Sequence, residues 1–120
     1  MPPDLPLSVE SLKYGFDIAQ AARNILNFTS GKTLADYQAS PLLQSAVERQ
    51  FEIIGEAVSQ LAKRDPATAQ CIPEYRRLIA FRNILIHGYA DVDEILVWGL
   101  IESHLPPLLT VLETLGVKAF

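Results

Sequence analysis

The chain has 120 residues, of which 49% are hydrophobic and 20% charged, a composition that fits one folded domain and excludes a disordered one. A net charge of −4 and a pI near 5.0 exclude the broad basic surface that grips long nucleic acid without specificity. A single cysteine, Cys71, excludes an internal disulfide.

Met1 to Leu7 carries three prolines and reads as a flexible N-terminal arm (1–7), leaving 8–120 as one helical domain. Ser8 is a candidate N-cap for a helix running to about Ser30, with Gly31 as its stop. Its apolar positions Leu12, Phe16, Ile18, Ala19, Ala22, Ile25, Leu26 and Phe28 recur at helical spacing. Thr33 with Asp36 three residues on predicts a short capped turn. Ser40-Pro41 then opens the cleanest helix, in which Leu43, Val47, Phe51, Ile54, Val58 and Leu61 trace one wide stripe. Gly55 interrupts that stripe at a cost of about 1 kcal/mol against alanine, so a close helix contact is expected there. Asp65-Pro66 ends the helix. Pro73 begins a fourth segment that stops at Gly88. Asp91, with Glu94 three residues on, opens a last helix, which Pro106-Pro107 should kink or interrupt. No segment alternates as a strand does, and the fold expected is an all-α antiparallel helical bundle of four main helices plus one or two short ones. The two long N-terminal helices should form its antiparallel hairpin.

The N-terminal sequence has no basic region followed by an apolar run, so no secretory signal is expected. No run of about 18 apolar residues occurs either, so no membrane span is expected and the cytoplasm is the expected location. The low share of charge suggests that a partner covers part of the surface, and a homodimer is the simplest such partner.

Chemistry gathers in Arg82-Asn83-Ile84-Leu85-Ile86-His87-Gly88-Tyr89. Histidine can take and return a proton near neutral pH, and arginine offers a planar charged fork that fits a phosphate. An RNA strand brings its own nucleophile, the 2′-hydroxyl, so a base and a cation beside one phosphate would suffice without a metal. On one straight helix Arg82 and His87 stand about 140° apart, whereas Asn83 and His87 share a face, so Asn83 can orient the imidazole. Lys63, Arg64, Arg76, Arg77 and Arg82 outweigh Asp65 and Glu74 to give a local charge of +3, leaving −7 for the rest. Arg76 and Arg77 could therefore steer a polyanion toward this segment.

The same residues have ordinary structural uses. His87 could cap the helix dipole, and Arg82 could pair with Glu74 or with an acidic residue of a facing helix. His104 reads as a surface residue, and Glu48, Glu52 and Glu56 as a solvated face that could form a carboxylate pair or meet a basic partner. Trp98 reads as core or dimer interface and Cys71 as a small, at least half-buried residue. No metal-ligand spacing and no phosphate-cradling glycine loop appear, so no cofactor is expected.

The chain resembles the HEPN superfamily, specifically the HepT toxins that pair with MNT nucleotidyltransferase antitoxins in type VII toxin–antitoxin systems. The likeness covers nearly the whole chain. Arg82, His87 and Tyr89 meet the R-x-x-x-x-H-x-Y signature, with Asn83 in the usual place after the arginine. Ala46 to Ala57 is similar to the family's long-helix stretch ending in I-I-G-E-A. Ile72-Pro73-Glu74-Tyr75 stands where I-P-W is frequent, and Asp91-Val92-Asp93 and Val97-Trp98 also match.

The resemblance implies a HEPN-like homodimer that acts as a metal-independent endoribonuclease at a composite cleft. Arg82 would hold the scissile phosphate and His87 would act as acid or base. It further implies that the antitoxin silences the toxin by AMP transfer to Tyr89. Two alternatives remain on the residues alone: a non-catalytic helical module that binds a nucleotide or the nucleotidyltransferase, and a plain scaffold dimer.

Overall fold

The computed structural model describes residues 7–87 and 92–118. Among them the chain forms α1 (Val9–Thr29), α2 (Leu34–Ala39), α3 (Pro41–Arg64), α4 (Pro66–Ala69), α5 (Tyr75–His87), α6 (Glu94–Ser103) and α7 (Leu105–Thr114), with no strand. The expected all-α bundle is the observed one. Its four main helices are α1, α3, α5 and a last helix broken into α6 and α7.

Local chemistry sets most boundaries. Ser8 accepts from the Ser11 N–H at the head of α1. Thr33 and Asp36 close a reciprocal capping box at α2, and those bonds hold the Asp36 carboxyl below its ordinary range. Ser40 accepts from the Leu43 N–H ahead of Pro41, and Gly31 adopts a φ of +72° beyond α1. Two boundaries differ from expectation. Pro73 lies outside α5, because Glu74 takes a φ of +50° and the helix starts at Tyr75. Asp93 caps α6, accepting from the Ile95 and Leu96 N–H groups. Asp91, expected in that role, lies outside the described residues, as do Gly88, Tyr89 and most of the proline-rich arm.

α1 and α3 pair antiparallel. Glu10 meets Arg64 and Ser11 meets Asp65 at one end, while Asn24 donates to Gln50 at the other. Stripes of Ile18, Ala22 and Ile25 face Val47, Phe51, Ile54, Val58 and Leu61, all buried. α5 runs back along α3, with Phe81 edge-on to Phe51 at 5.3 Å between centroids. α6 lies on α2, where Trp98 meets Tyr37 at 5.6 Å, so Trp98 belongs to the core. α7 lies on α1, and just beyond it Val117 occupies the space that a Cβ on Gly15 would need.

Pro106-Pro107 break the last helix as expected, at His104. Contrary to expectation, His104 is buried. Its Nδ1 lies 3.5 Å from a Glu74 carboxylate oxygen, and the junction it occupies is packed inside the bundle. By length and mean hydropathy, Glu94–Thr114 taken together would suffice to cross a membrane, which the search for an unbroken apolar run did not register. Its apolar residues Val97, Leu100, Ile101, Leu105, Leu108 and Leu112 are spent instead on the core.

Candidate active site

Glycine makes the geometry of this site possible. A Cβ on Gly55 would lie 2.2 Å from Arg82 Cβ, 2.8 Å from Arg82 Cγ and 2.9 Å from the Leu78 carbonyl oxygen. The close contact expected at Gly55 is therefore the crossing of α3 and α5, and the residue crossing it is Arg82. With no side chain in the way, the arginine stem lies flat on the α3 backbone. Its Nη2 then donates to Glu56 Oε2 at 2.5 Å, and its Nη1 donates to Asn83 Oδ1 at 2.9 Å. The Arg82 side chain stays 28% exposed. Each terminal nitrogen still has an N–H to offer an anion.

Glu56 is exposed, as a solvated face requires, and it is also the acidic residue of a facing helix with which Arg82 pairs; its signal in the sequence was its place directly after the one glycine of the α3 stripe. Glu52, one turn back, pairs with Arg49 at 3.3 Å. Asn83, expected to orient the imidazole, accepts from Arg82 Nη1 through its Oδ1. His87 is the last residue of α5 and is exposed, at the end of the helix where a cation complements the dipole. The structure thus puts Arg82, Asn83 and His87 on the outer face and C-terminal end of one helix. Tyr89 lies outside the described residues.

Arg76 and Arg77 stand exposed in the first turn of α5, Arg76 over the Tyr75 ring at 5.4 Å and Arg77 at 3.7 Å from Glu74. On the helix that ends at His87, Ile84 and Ile86 are each 48% exposed; at the start of α6, Ile95 and Leu96 are exposed as well. On the far side of α3, Gln44 donates to Glu94 at 3.4 Å, tying α3 to α6. Glu48 is half-buried there, and burial, then Glu52 and Glu94, pushes its carboxyl up. Among the described residues no three histidine, cysteine or acidic side chains converge as a metal site.

The described residues form an all-helical bundle that carries an arginine held on a glycine crossing and an exposed histidine at the end of the same helix. Residues 18–115 match the family described as Ribonuclease HepT-like. The chain is 34% identical over 92 residues to a Thermococcus cleftensis protein named "Probable ribonuclease HepT", covering 77% of this chain and 83% of that protein. It is 29% identical over 93 residues to a Methanocaldococcus jannaschii protein named "Putative RNase MJ1380", covering 78% and 84%. No solved structure matches the chain. The chain belongs to the HepT-like family.

Proposed function

We propose that this protein is an endoribonuclease that cleaves RNA as a homodimer without a metal ion, and that it is the toxin of a toxin–antitoxin pair. The observation that carries the reading is the anchored, half-exposed Arg82 guanidinium on the same helix as the exposed His87. Arg82 holds the scissile phosphate and offsets the charge that builds on its oxygens. His87 takes the proton from the 2′-hydroxyl as that oxygen attacks phosphorus, or gives a proton to the departing 5′-oxygen. The P–O5′ bond breaks and a 2′,3′-cyclic phosphate remains. The second general acid–base group comes from the His87 of the other copy, across a composite cleft.

The exposed Ile84 and Ile86 on the helix of His87, with Ile95 and Leu96 exposed at the start of α6, support dimerisation, because an isolated subunit would leave these large apolar side chains in water. Arg76 and Arg77 lie on the same helix as Arg82 and can draw the RNA backbone toward it despite the acidic balance of the chain. In this reading a nucleotidyltransferase antitoxin silences the enzyme by moving AMP onto the Tyr89 hydroxyl, two residues past His87. The added nucleotide fills the cleft and cancels positive charge.

A cleavage assay in EDTA tests the reading, using total RNA and protein whose mass rules out bound AMP. Wild type should yield 2′,3′-cyclic ends. Arg82→Ala and His87→Ala should each lose at least a hundredfold in rate while keeping the helical circular-dichroism spectrum. Absence of cleavage across tRNA, rRNA and mRNA by unmodified wild type would leave a binding module as the better reading.

A further inference from the structure

We propose that Glu56 is a positioning residue that holds the Arg82 guanidinium in the orientation needed to receive the scissile phosphate, with Gly55 as the seat for the arginine stem. The inference rests on the reading of Arg82 as the phosphate-holding group.

An arginine on a helix surface is ordinarily free to sample many rotamers, and binding it to a phosphate carries the entropy of fixing it. Here both ends of the side chain are already fixed. The stem lies against α3, its Cβ and Cγ filling the volume a Gly55 Cβ would take. The head is fixed by the 2.5 Å bond from Nη2 to Glu56 Oε2, and Asn83 fixes the second terminal nitrogen at 2.9 Å. Glu56 and Arg82 come from different helices 26 residues apart in sequence, so the bond relates the site to α3 and not merely to α5. Glu56 Oε2 takes only one of the Nη2 hydrogens, and the Arg82 side chain remains 28% exposed. The carboxylate therefore orients the fork without covering it. An ion pair of such exposure contributes little to stability, which leaves orientation as what it supplies.

The test compares Glu56→Ala and Glu56→Gln in the full-length dimer, with single-turnover cleavage of a defined RNA in EDTA and Arg82→Ala run beside them. The alanine variant should lose at least tenfold in kcat with KM within threefold of wild type, because a misoriented arginine binds RNA but meets the transition state badly. The glutamine variant retains an oxygen that accepts from Nη2, and it should recover kcat to within threefold of wild type. Both should keep the wild-type thermal midpoint to within a few degrees. Wild-type kcat in Glu56→Ala overturns the proposal, and so does a glutamine variant as slow as the alanine one. If Arg82→Ala is inactive and Glu56→Ala is not, only the positioning role falls. If Arg82→Ala itself cleaves at the wild-type rate, the role of Arg82 falls and this proposal with it.

Discussion

Two corners of α3 carry a charged side chain tied to a neighbouring helix, and they are built in opposite ways. At the C-terminal corner, Asp65 caps both α3 and α4, and its Oδ2 accepts from the Ser11 hydroxyl at 2.7 Å and the Thr68 hydroxyl at 2.6 Å. Both donors are buried, at 3% and 2% exposure. At the middle of α3, Arg82 is held by an exposed glutamate and an exposed asparagine and stays open to water. The first corner uses up its hydrogen-bonding capacity inside the fold. The second holds a cation in place and leaves donors over. A charge whose partners are all spent is structural, whereas one fixed but not consumed is suited to act on something that arrives later.

Asp65→Ala should break the first corner and leave the second intact. It strands two buried hydroxyls and removes a cap, at a cost of about 2–3 kcal/mol. Urea unfolding should show a midpoint shift of that size, while RNA cleavage per folded molecule stays at the wild-type level. Acid sharpens the same contrast. Hydrogen bonds from Thr68, then Ser11, hold the Asp65 carboxyl below its ordinary value of 3.8. A depressed folded-state value means that the stabilisation is complete above that ordinary value and is lost as pH falls through the depressed one. Glu48 has the opposite sign. Its carboxyl is pushed above the ordinary 4.5, so its ionisation weakens the fold as pH rises beyond that point. The difference between wild type and Asp65→Asn should therefore shrink as pH falls below 3.8. Glu48→Gln should be more stable than wild type at neutral pH and lose that advantage below 4.5.

Gly55→Ala attacks the second corner from beneath. The new methyl group would meet Arg82 and the Leu78 carbonyl within 3 Å, so α5 must shift on α3. Overpacking of this kind costs about 1–3 kcal/mol, partly offset by the better helix propensity of alanine. In the proposed reading the same shift carries Arg82 away from its place, and cleavage should fall by more than the loss of folded protein explains. A variant with unchanged stability and unchanged cleavage would show that the crossing tolerates a methyl group and that Gly55 has no part in the site.

The difference between the corners also explains what the sequence could reveal. Ser8, Thr33 and Ser40 act on N–H groups three residues away, so their roles are written in local order and were read correctly. Gly55 announced a close contact but not with what, since its neighbour Arg82 is 27 positions on. Glu56 looked like one of three glutamates on a wet face because its partner is known only once α5 is laid on α3. His104 looked like a surface residue for the same reason. Its polar N-terminal neighbours, Glu102 and Ser103, hid a position at which the broken last helix turns inward.

The smallest effect concerns a polar group that belongs to neither corner. Tyr37 is fully buried beside Trp98, and its hydroxyl has no hydrogen-bond partner among the described residues, while burial and the nearby Glu48 and Glu94 push the phenol up. An unpaired buried hydroxyl has lost water without gaining a bond, so removing it relieves a desolvation penalty and leaves the ring packing unchanged. Tyr37→Phe should thus be neutral or more stable by up to about 1 kcal/mol in urea unfolding. It should leave cleavage untouched, because α2 lies on α6 and away from Arg82. Destabilisation by more than about 1 kcal/mol would mean that the hydroxyl has a partner in the folded protein after all, and α2 would then join the anchored corner of the molecule.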